Sequence, residues 1–170
     1  QVLQASRTRE KQRLMNLTEI NLGELIGETV GSIVSRRHLD DSAIRFSPPI
    51  ETIQVLGDRG ELQTALANLI DNAIKYSPEG PKITIKLRSA RPKKAEIFIR
   101  DNGIGMARSD LKRVFKRFYR AQNSTSSTTK GTGLGLAIVQ SIVAKHGGTV
   151  RAESKGEGLG TTIIVRLPMV

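Results

Sequence analysis

The sequence predicts an α+β fold: a two-layer α/β sandwich in which three helices cover one face of a mixed, mostly antiparallel sheet. Three observations lead there. Segments of alternating apolar and polar residues outnumber the helical ones. Successive strands are joined by connections short enough for hairpins, which makes the sheet largely antiparallel. Three amphipathic stretches each carry a single apolar face that must be buried against a neighbour.

Residues 1–15, QVLQASRTREKQRLM, are strongly charged and helix-compatible. They are expected to be the tail of a helix, or a linker, from a preceding module, and residues 16–170 form the domain. Asn21 is a good N-cap for a first helix in which Leu22, Leu25, Ile26, Val30, Ile33 and Val34 recur at helical spacing, ending near His38. Short strands follow at Ala43–Ser47 and Thr52–Leu56, separated by Pro48 and Pro49. The clearest helix is Glu61–Tyr76, with Asp58 ahead of it and Pro78 and Gly80 behind. Strands Lys82–Ser89 and Ala95–Asp101 are joined by a basic, proline-containing loop. A short helix is expected around Asp110–Tyr119. AQNSTSSTTKGTG then reads as a mobile loop, too polar to pack. GLGLAIVQSIVAKHGG opens in glycine, runs with helical period through Leu136, Val139, Ile142 and Val143, and stops at Gly147 and Gly148. Strands Thr149–Ser154 and Thr161–Leu167 close the fold around KGEGLG.

Composition narrows the function. The 170 residues are 38% hydrophobic, enough for one well-buried domain. No apolar run approaches the roughly 18 residues that a membrane span needs, so a soluble, cytoplasmic chain is expected. With no cysteine there is no disulfide or thiolate metal site, and His38 and His146 are too few and too isolated for a zinc cluster. The net charge is +11, and residues 106–130 hold seven Lys or Arg against one acid, Asp110. Such a concentration suits phosphates, of a nucleotide or of nucleic acid, unless it is merely a solvated helix face.

Three sets of polar residues call for an explanation. At about 100° per residue, Asn68, Asn72 and Lys75 form a stripe beside the apolar face of the second long helix. Amide oxygens can ligate a hard cation such as Mg²⁺ and an ammonium can meet a phosphate oxygen, although an ordinary polar helix flank would look the same. NGIG at 102–105, GTGLG at 131–135 and GEGLG at 156–160 are glycine clusters. The middle one opens a helix, whose free N–H groups suit an anion, whereas the last reads more simply as a turn between strands. GTGLG follows no strand and no GK[ST] follows a glycine loop, which excludes a dinucleotide fold and a P-loop. Finally, strand periodicity puts Asp101 on the same side as Ile97 and Ile99, facing the core. A carboxylate there costs several kcal/mol unless satisfied, and an amine donor such as the exocyclic amino group of adenine would satisfy it.

Taken in order, NLIDNAIKYS (Asn68–Ser77), RDNGIGM (Arg100–Met106), FKRFYR (Phe115–Arg120), KGTGLGLAIV (Lys130–Val139) and GEGLGTT (Gly156–Thr162) resemble the asparagine box, first glycine box, phenylalanine box and second and third glycine boxes of sensor histidine kinases. The resemblance spans about residues 15–170. It implies a Bergerat ATP-binding fold with ATP held between the helices beneath a flexible lid. By resemblance Asn72 ligates Mg²⁺, supported by Asn68; Lys75 contacts phosphate; and Tyr76 lines the nucleotide pocket. Asp101 binds the adenine amino group over a floor of Gly103 and Gly105. The lid would run from about Met106 to Thr132, with Arg117, Arg120 and Lys130 as phosphate contacts and Phe118 as a hydrophobic latch. Gly131, Thr132, Gly133, Leu134 and Gly135 would close over the phosphates, while Gly158 and Gly160 are structural. Asn72, Lys75 and Arg117 are the residues expected to serve phosphoryl transfer, which depends on positioning and charge neutralisation.

The resemblance also implies partners: a histidine-bearing dimerisation domain of the same kinase, a response-regulator receiver domain, and a homodimeric full-length protein that touches a membrane only through other parts, such as an inner-membrane anchor. No nucleic acid is expected. His38, followed by LDDSA, lacks the basic residue and proline that follow a phosphoacceptor histidine in the family, and His146 reads as a capping or packing residue. Autophosphorylation by this chain alone is therefore not expected. Lys116 stands where the family often has glutamate, which makes the lid more basic. The nearest rival is an ATP hydrolase of the same superfamily, but its water-activating glutamate would occupy the position of Asn68. A superfamily serine kinase usually lacks the phenylalanine box. A nucleic-acid-binding module is disfavoured by six aromatics in the whole chain, with Phe98 alone on the two strands around RDNG.

Overall fold

The structure, a computed structural model, describes residues 16–116 and 135–170. Its elements are β1 (Leu17–Asn21), α1 (Leu22–Arg36), β2 (Ile44–Phe46), β3 (Gln54–Asp58), α2 (Arg59–Lys75), β4 (Ile83–Ala90), β5 (Lys94–Arg100), α3 (Gly135–Lys145), β6 (Thr149–Glu153) and β7 (Thr162–Pro168).

Local chemistry sets the helix ends. Asn21 Oδ1 accepts from the N–H of Glu24 at 3.2 Å and caps α1, whose buried face is Leu22, Leu25, Ile26, Thr29 and Ile33. Asp58 Oδ1 accepts from the N–H of Glu61 at 3.1 Å and caps α2, and that bond holds the Asp58 carboxyl below the usual carboxylate range. Leu62, Ala65, Leu66, Leu69, Ile70 and Ala73 recur along α2 and are buried.

The main sheet has five strands in the order β2-β4-β5-β7-β6, with β2 parallel to β4 and every other pair antiparallel. Its inner face carries Ile83, Ile85, Ile97, Ile99, Val165 and Leu167, all buried against the three helices. The two-layer sandwich expected from the sequence is thus the fold observed.

Two expectations need correction. The strand read at Thr52–Leu56 does not join the main sheet. As β3 it pairs antiparallel with β1 in a separate ribbon, Ile20 opposite Val55. β1 was missed because, of its five residues, only Ile20 is fully buried, so its alternation is weak in the sequence. The helix expected around Asp110–Tyr119 is, as far as Lys116, a run of turns. The N–H groups of Arg113 and Val114 both donate to Asp110 O and that of Lys116 donates to Arg113 O, so the one i+4 bond is flanked by i+3 bonds and does not propagate an α-helix. The rest of that segment, and the loop to Leu134, lies outside the described residues.

Candidate nucleotide site

The site lies where the C-terminal end of β5 faces the last turns of α2 and the start of α3. A mostly apolar pocket opens there, lined by Leu69, Ala73, Ile99, Ile104, Met106, Val114, Leu136 and Ile163, with Asn72, Tyr76, Asp101, Gly105 and Thr161 as its other walls.

Asp101 follows Ile97 and Ile99 with strand period and lines the pocket, as the alternation predicts. Its Oδ1 accepts from the N–H of Gly103 at 2.9 Å and from the N–H of Thr161 at 3.1 Å. Its own N–H donates to Thr161 O at 2.9 Å. Both bonds to the carboxylate fall on Oδ1, so Oδ2 has no partner among the described residues. Burial pushes the Asp101 carboxyl above the usual range, and the two backbone donors pull it partly back. A half-buried carboxylate with one oxygen fixed and the other unmatched is a ready acceptor for a ligand N–H.

The glycines after Asp101 are dictated by contact. A Cβ on Gly103 would stand 2.0 Å from Tyr76 O, and the N–H of Ile104 donates to that same carbonyl at 3.0 Å. Gly105, at φ +68°, would press a Cβ to 2.1 Å from Gly156 O. Gly103 therefore locks β5 to the end of α2, and Gly105 is itself on the pocket wall. Gly160, at φ +73°, backs the site from the other side: its Cβ would meet Asp101 O at 2.2 Å. This is the structural role expected of it. Gly158 donates its N–H to Ile104 O at 2.7 Å.

On α2, Asn72 and Tyr76 are brought to the pocket, while Asn68 lies a turn back, outside its lining. Lys75 Nζ stands 5.2 Å from the centroid of the Tyr76 ring. α3 begins at Gly135, where a Cβ would come within 3.9 Å of Asn72 Nδ2. The N-terminus of α3 thus sits beside the Asn72 amide, with Leu136 in the wall. Arg117, Phe118, Arg120, Lys130, Gly131, Thr132, Gly133 and Leu134 lie outside the described residues.

Two residues of the site escaped sequence reasoning. Thr161 supplies the second donor to Asp101. Ser154 Oγ accepts from the N–H of Met106 at 3.1 Å and donates to Gly160 O at 2.7 Å, so it joins the two glycine loops. The available signal was that each flanks GEGLG, where a hydroxyl beside a glycine turn commonly bonds backbone. His146 meets its expectation as a packing residue: Nδ1 lies 2.7 Å from Ile142 O and Nε2 accepts from the N–H of Asp58 at 3.0 Å.

Comparison with known proteins fits this geometry. Residues 57–170 match the family model described as histidine kinase-, DNA gyrase B-, and HSP90-like ATPase. The chain belongs to this family. Within these ATPases it is 40% identical over 168 residues to the sensor-like histidine kinase SenX3 of Mycobacterium tuberculosis, a match covering 99% of this chain and 40% of that protein. It is 37% identical over 152 residues to the signal transduction histidine-protein kinase/phosphatase MprB of Mycobacterium ulcerans, covering 88% of this chain and 29% of that protein. The chain therefore spans well under half the length of these relatives. Among solved structures, a mycobacterial sensor histidine kinase MprB superposes with a TM-score of 0.77 at 34% identity, covering 89% of this chain and 98% of that one. Full-length ShkA in complex with AMPPNP superposes at 0.73 and 26% identity, covering 92% of this chain and 32% of that one. The chain is an ATP-binding catalytic domain of the sensor-histidine-kinase type.

Proposed function

We propose that this domain binds Mg·ATP with adenine against Asp101 and phosphates at the α3 N-terminus. It then directs the γ-phosphoryl to a histidine on a dimerisation domain of the same kinase, for relay to an aspartate of a response-regulator receiver domain. The carrying observation is the pairing, across one apolar pocket, of an Asp101 oxygen without a partner among the described residues and an Asn72 amide beside a helix N-terminus. The first matches an adenine N–H. The second matches a metal-bound polyphosphate.

Phosphoryl transfer breaks the bond between the γ-phosphorus and the β,γ-bridging oxygen and forms a bond to an imidazole nitrogen; ADP leaves and the imidazole gives up a proton. The protein's work is positioning and charge neutralisation. Asp101 and the apolar walls fix the base, Tyr76 and Met106 exclude water, and the α3 N–H groups and Lys75 face the phosphates. Among the described residues no group of three His, Cys, Asp or Glu could hold a metal, which fits a cation carried by phosphate oxygens and completed by an amide such as Asn72, with Asn68 behind it. Mg²⁺ so held would neutralise charge on the β- and γ-phosphates. Arg117, Arg120 and Lys130, with Phe118 as a latch, are proposed to complete the closing lid.

The domain boundary before residue 16 is supported by β1, which is integral through its pairing with β3; residues 1–15 are proposed as the end of the dimerisation helix or a linker. A homodimeric full-length protein follows from that reading. No helix among the described residues is long and apolar enough to cross a membrane, so any membrane anchor would belong to other parts. Neither His146, engaged through both ring nitrogens, nor His38, exposed in the turn after α1, is the acceptor.

The test is transfer in trans. The chain, radiolabelled ATP and a separately prepared histidine-bearing dimerisation domain are mixed, and acid-labile, base-stable label on that domain is expected. Label that never leaves ATP, or release of free phosphate at the same rate without the acceptor, would refute the kinase reading.

A further inference from the structure

The basic lid accounts for only part of the net charge of +11; most of the remaining surplus lies on the outer face of the main sheet, away from the helices. Strand period places seven cations there against two carboxylates, Glu96 and Glu153. Both carboxylates are already engaged. Glu96, only 6% exposed, pairs with Arg88 at 2.9 Å and Arg166 at 3.1 Å, and Glu153 pairs with Arg151 at 3.2 Å. Arg45, Lys86, Lys94 and Arg100 form no ion pair among the described residues. Where β4 and β7 begin and β5 ends, this face sinks into a recess lined by Lys82, Thr84, Lys86, Phe98, Arg100 and Leu159. Leu159 is 62% exposed on its rim.

We propose that this recess docks an acidic segment of a partner protein, its carboxylates on Lys82, Lys86 and Arg100 and an apolar side chain on Leu159. Charge complementarity selects the sign of the partner, because cations without paired carboxylates attract acids and repel a second copy of this basic chain. The apolar contact selects a polypeptide. The Phe98 ring is covered by the Arg88 guanidinium, 4.8 Å from its centroid, so it offers no platform for a nucleic-acid base. The surface lies behind Asp101, which borders both this recess and the nucleotide pocket, and its cations and Leu159 stand whether or not nucleotide binds.

The experiment uses the full chain with the nucleotide pocket saturated by a non-hydrolysable ATP analogue. A short fluorescent peptide of alternating Glu and Leu is titrated at near-physiological salt against the native chain, the Lys82→Glu/Lys86→Glu variant and Leu159→Ser. Saturable binding is expected, weakened by about tenfold or more in the charge-reversed variant and severalfold in Leu159→Ser, with peptide-induced amide shifts at Lys86, Phe98 and Thr162. Unchanged affinity for the ATP analogue and preserved amide dispersion show that both variants are folded. Equal peptide affinity in all three proteins, or shifts confined to the nucleotide pocket, would overturn the proposal. So would single-stranded DNA of matched charge or anionic phospholipid vesicles binding this face more tightly than the peptide does. If the analogue itself fails to bind the native chain, the nucleotide reading fails while the peptide titration still decides this one.

Discussion

Asp101 shows what one residue's environment does to a whole domain. Burial raises its carboxyl's pKa, so the ionised form is less favourable in the fold than in the unfolded chain. That cost is present at neutral pH and disappears as pH falls below the folded value. Asp101→Asn keeps an oxygen for the Gly103 and Thr161 donors while removing the charge. Without nucleotide, the variant is therefore expected to melt at or above the native temperature at neutral pH, the difference closing in acid. A markedly lower melting temperature at neutral pH would contradict this account of the site. In the native chain, nucleotide affinity should fall as pH drops through the raised pKa, beginning at a higher pH than an ordinary aspartate would give. Asp101 was legible from strand period alone. Thr161 was not, because what makes it a partner is the pairing that sets Thr162 opposite Arg100, across sixty residues of sequence.

Between elements, the decisive contacts are stitches at glycine positions. Ser154 ties the loop after β5 to the loop before β7. Ser154→Ala leaves the Met106 N–H without its acceptor, at a cost of about 1–2 kcal/mol in stability. A several-fold loss of nucleotide affinity is expected with it, readable by calorimetry and denaturant titration. Gly57 shows a second stitch. A Cβ there would meet His146 Cδ2 at 2.8 Å and Leu62 Cδ1 at 2.9 Å, while His146 caps the Asp58 N–H at the start of α2. Gly57→Ala should destabilise the native chain more than it destabilises His146→Ala, the non-additivity being the signature of direct contact. Additive effects would contradict it. The sequence made the helices and hairpins readable, since their period and caps are local. It could not show that β3 would pair with β1, nor why Gly57 must be glycine, because both follow from packing between segments far apart in the chain.

For the molecule as a whole, strand and helix periodicity anticipated the two-layer sandwich that is observed, and the order of five motifs implied ATP held between the helices, where an apolar pocket lies between β5, α2 and α3. The placement of charge was read less fully. The basic cluster at 106–130 stood out because it is contiguous, whereas the cations of the outer sheet face are spread over five strands and meet only when the sheet forms. The turns at Asp110–Lys116 replaced an expected helix because tertiary contacts, with Val114 and Phe115 buried against the core, outweighed helical propensity. Whether Asp101 and Asn72 mark the two ends of one Mg·ATP site is decided by nucleotide binding. Calorimetric titration with a non-hydrolysable ATP analogue should be run with and without Mg²⁺ on the native chain, Asp101→Asn and Asn72→Ala. Native binding strengthened by Mg²⁺ is expected. Asp101→Asn should lose about 2 kcal/mol, roughly thirtyfold, with or without the metal; in Asn72→Ala the Mg²⁺-dependent increment alone should disappear. Native affinity retained in both variants would contradict this assignment.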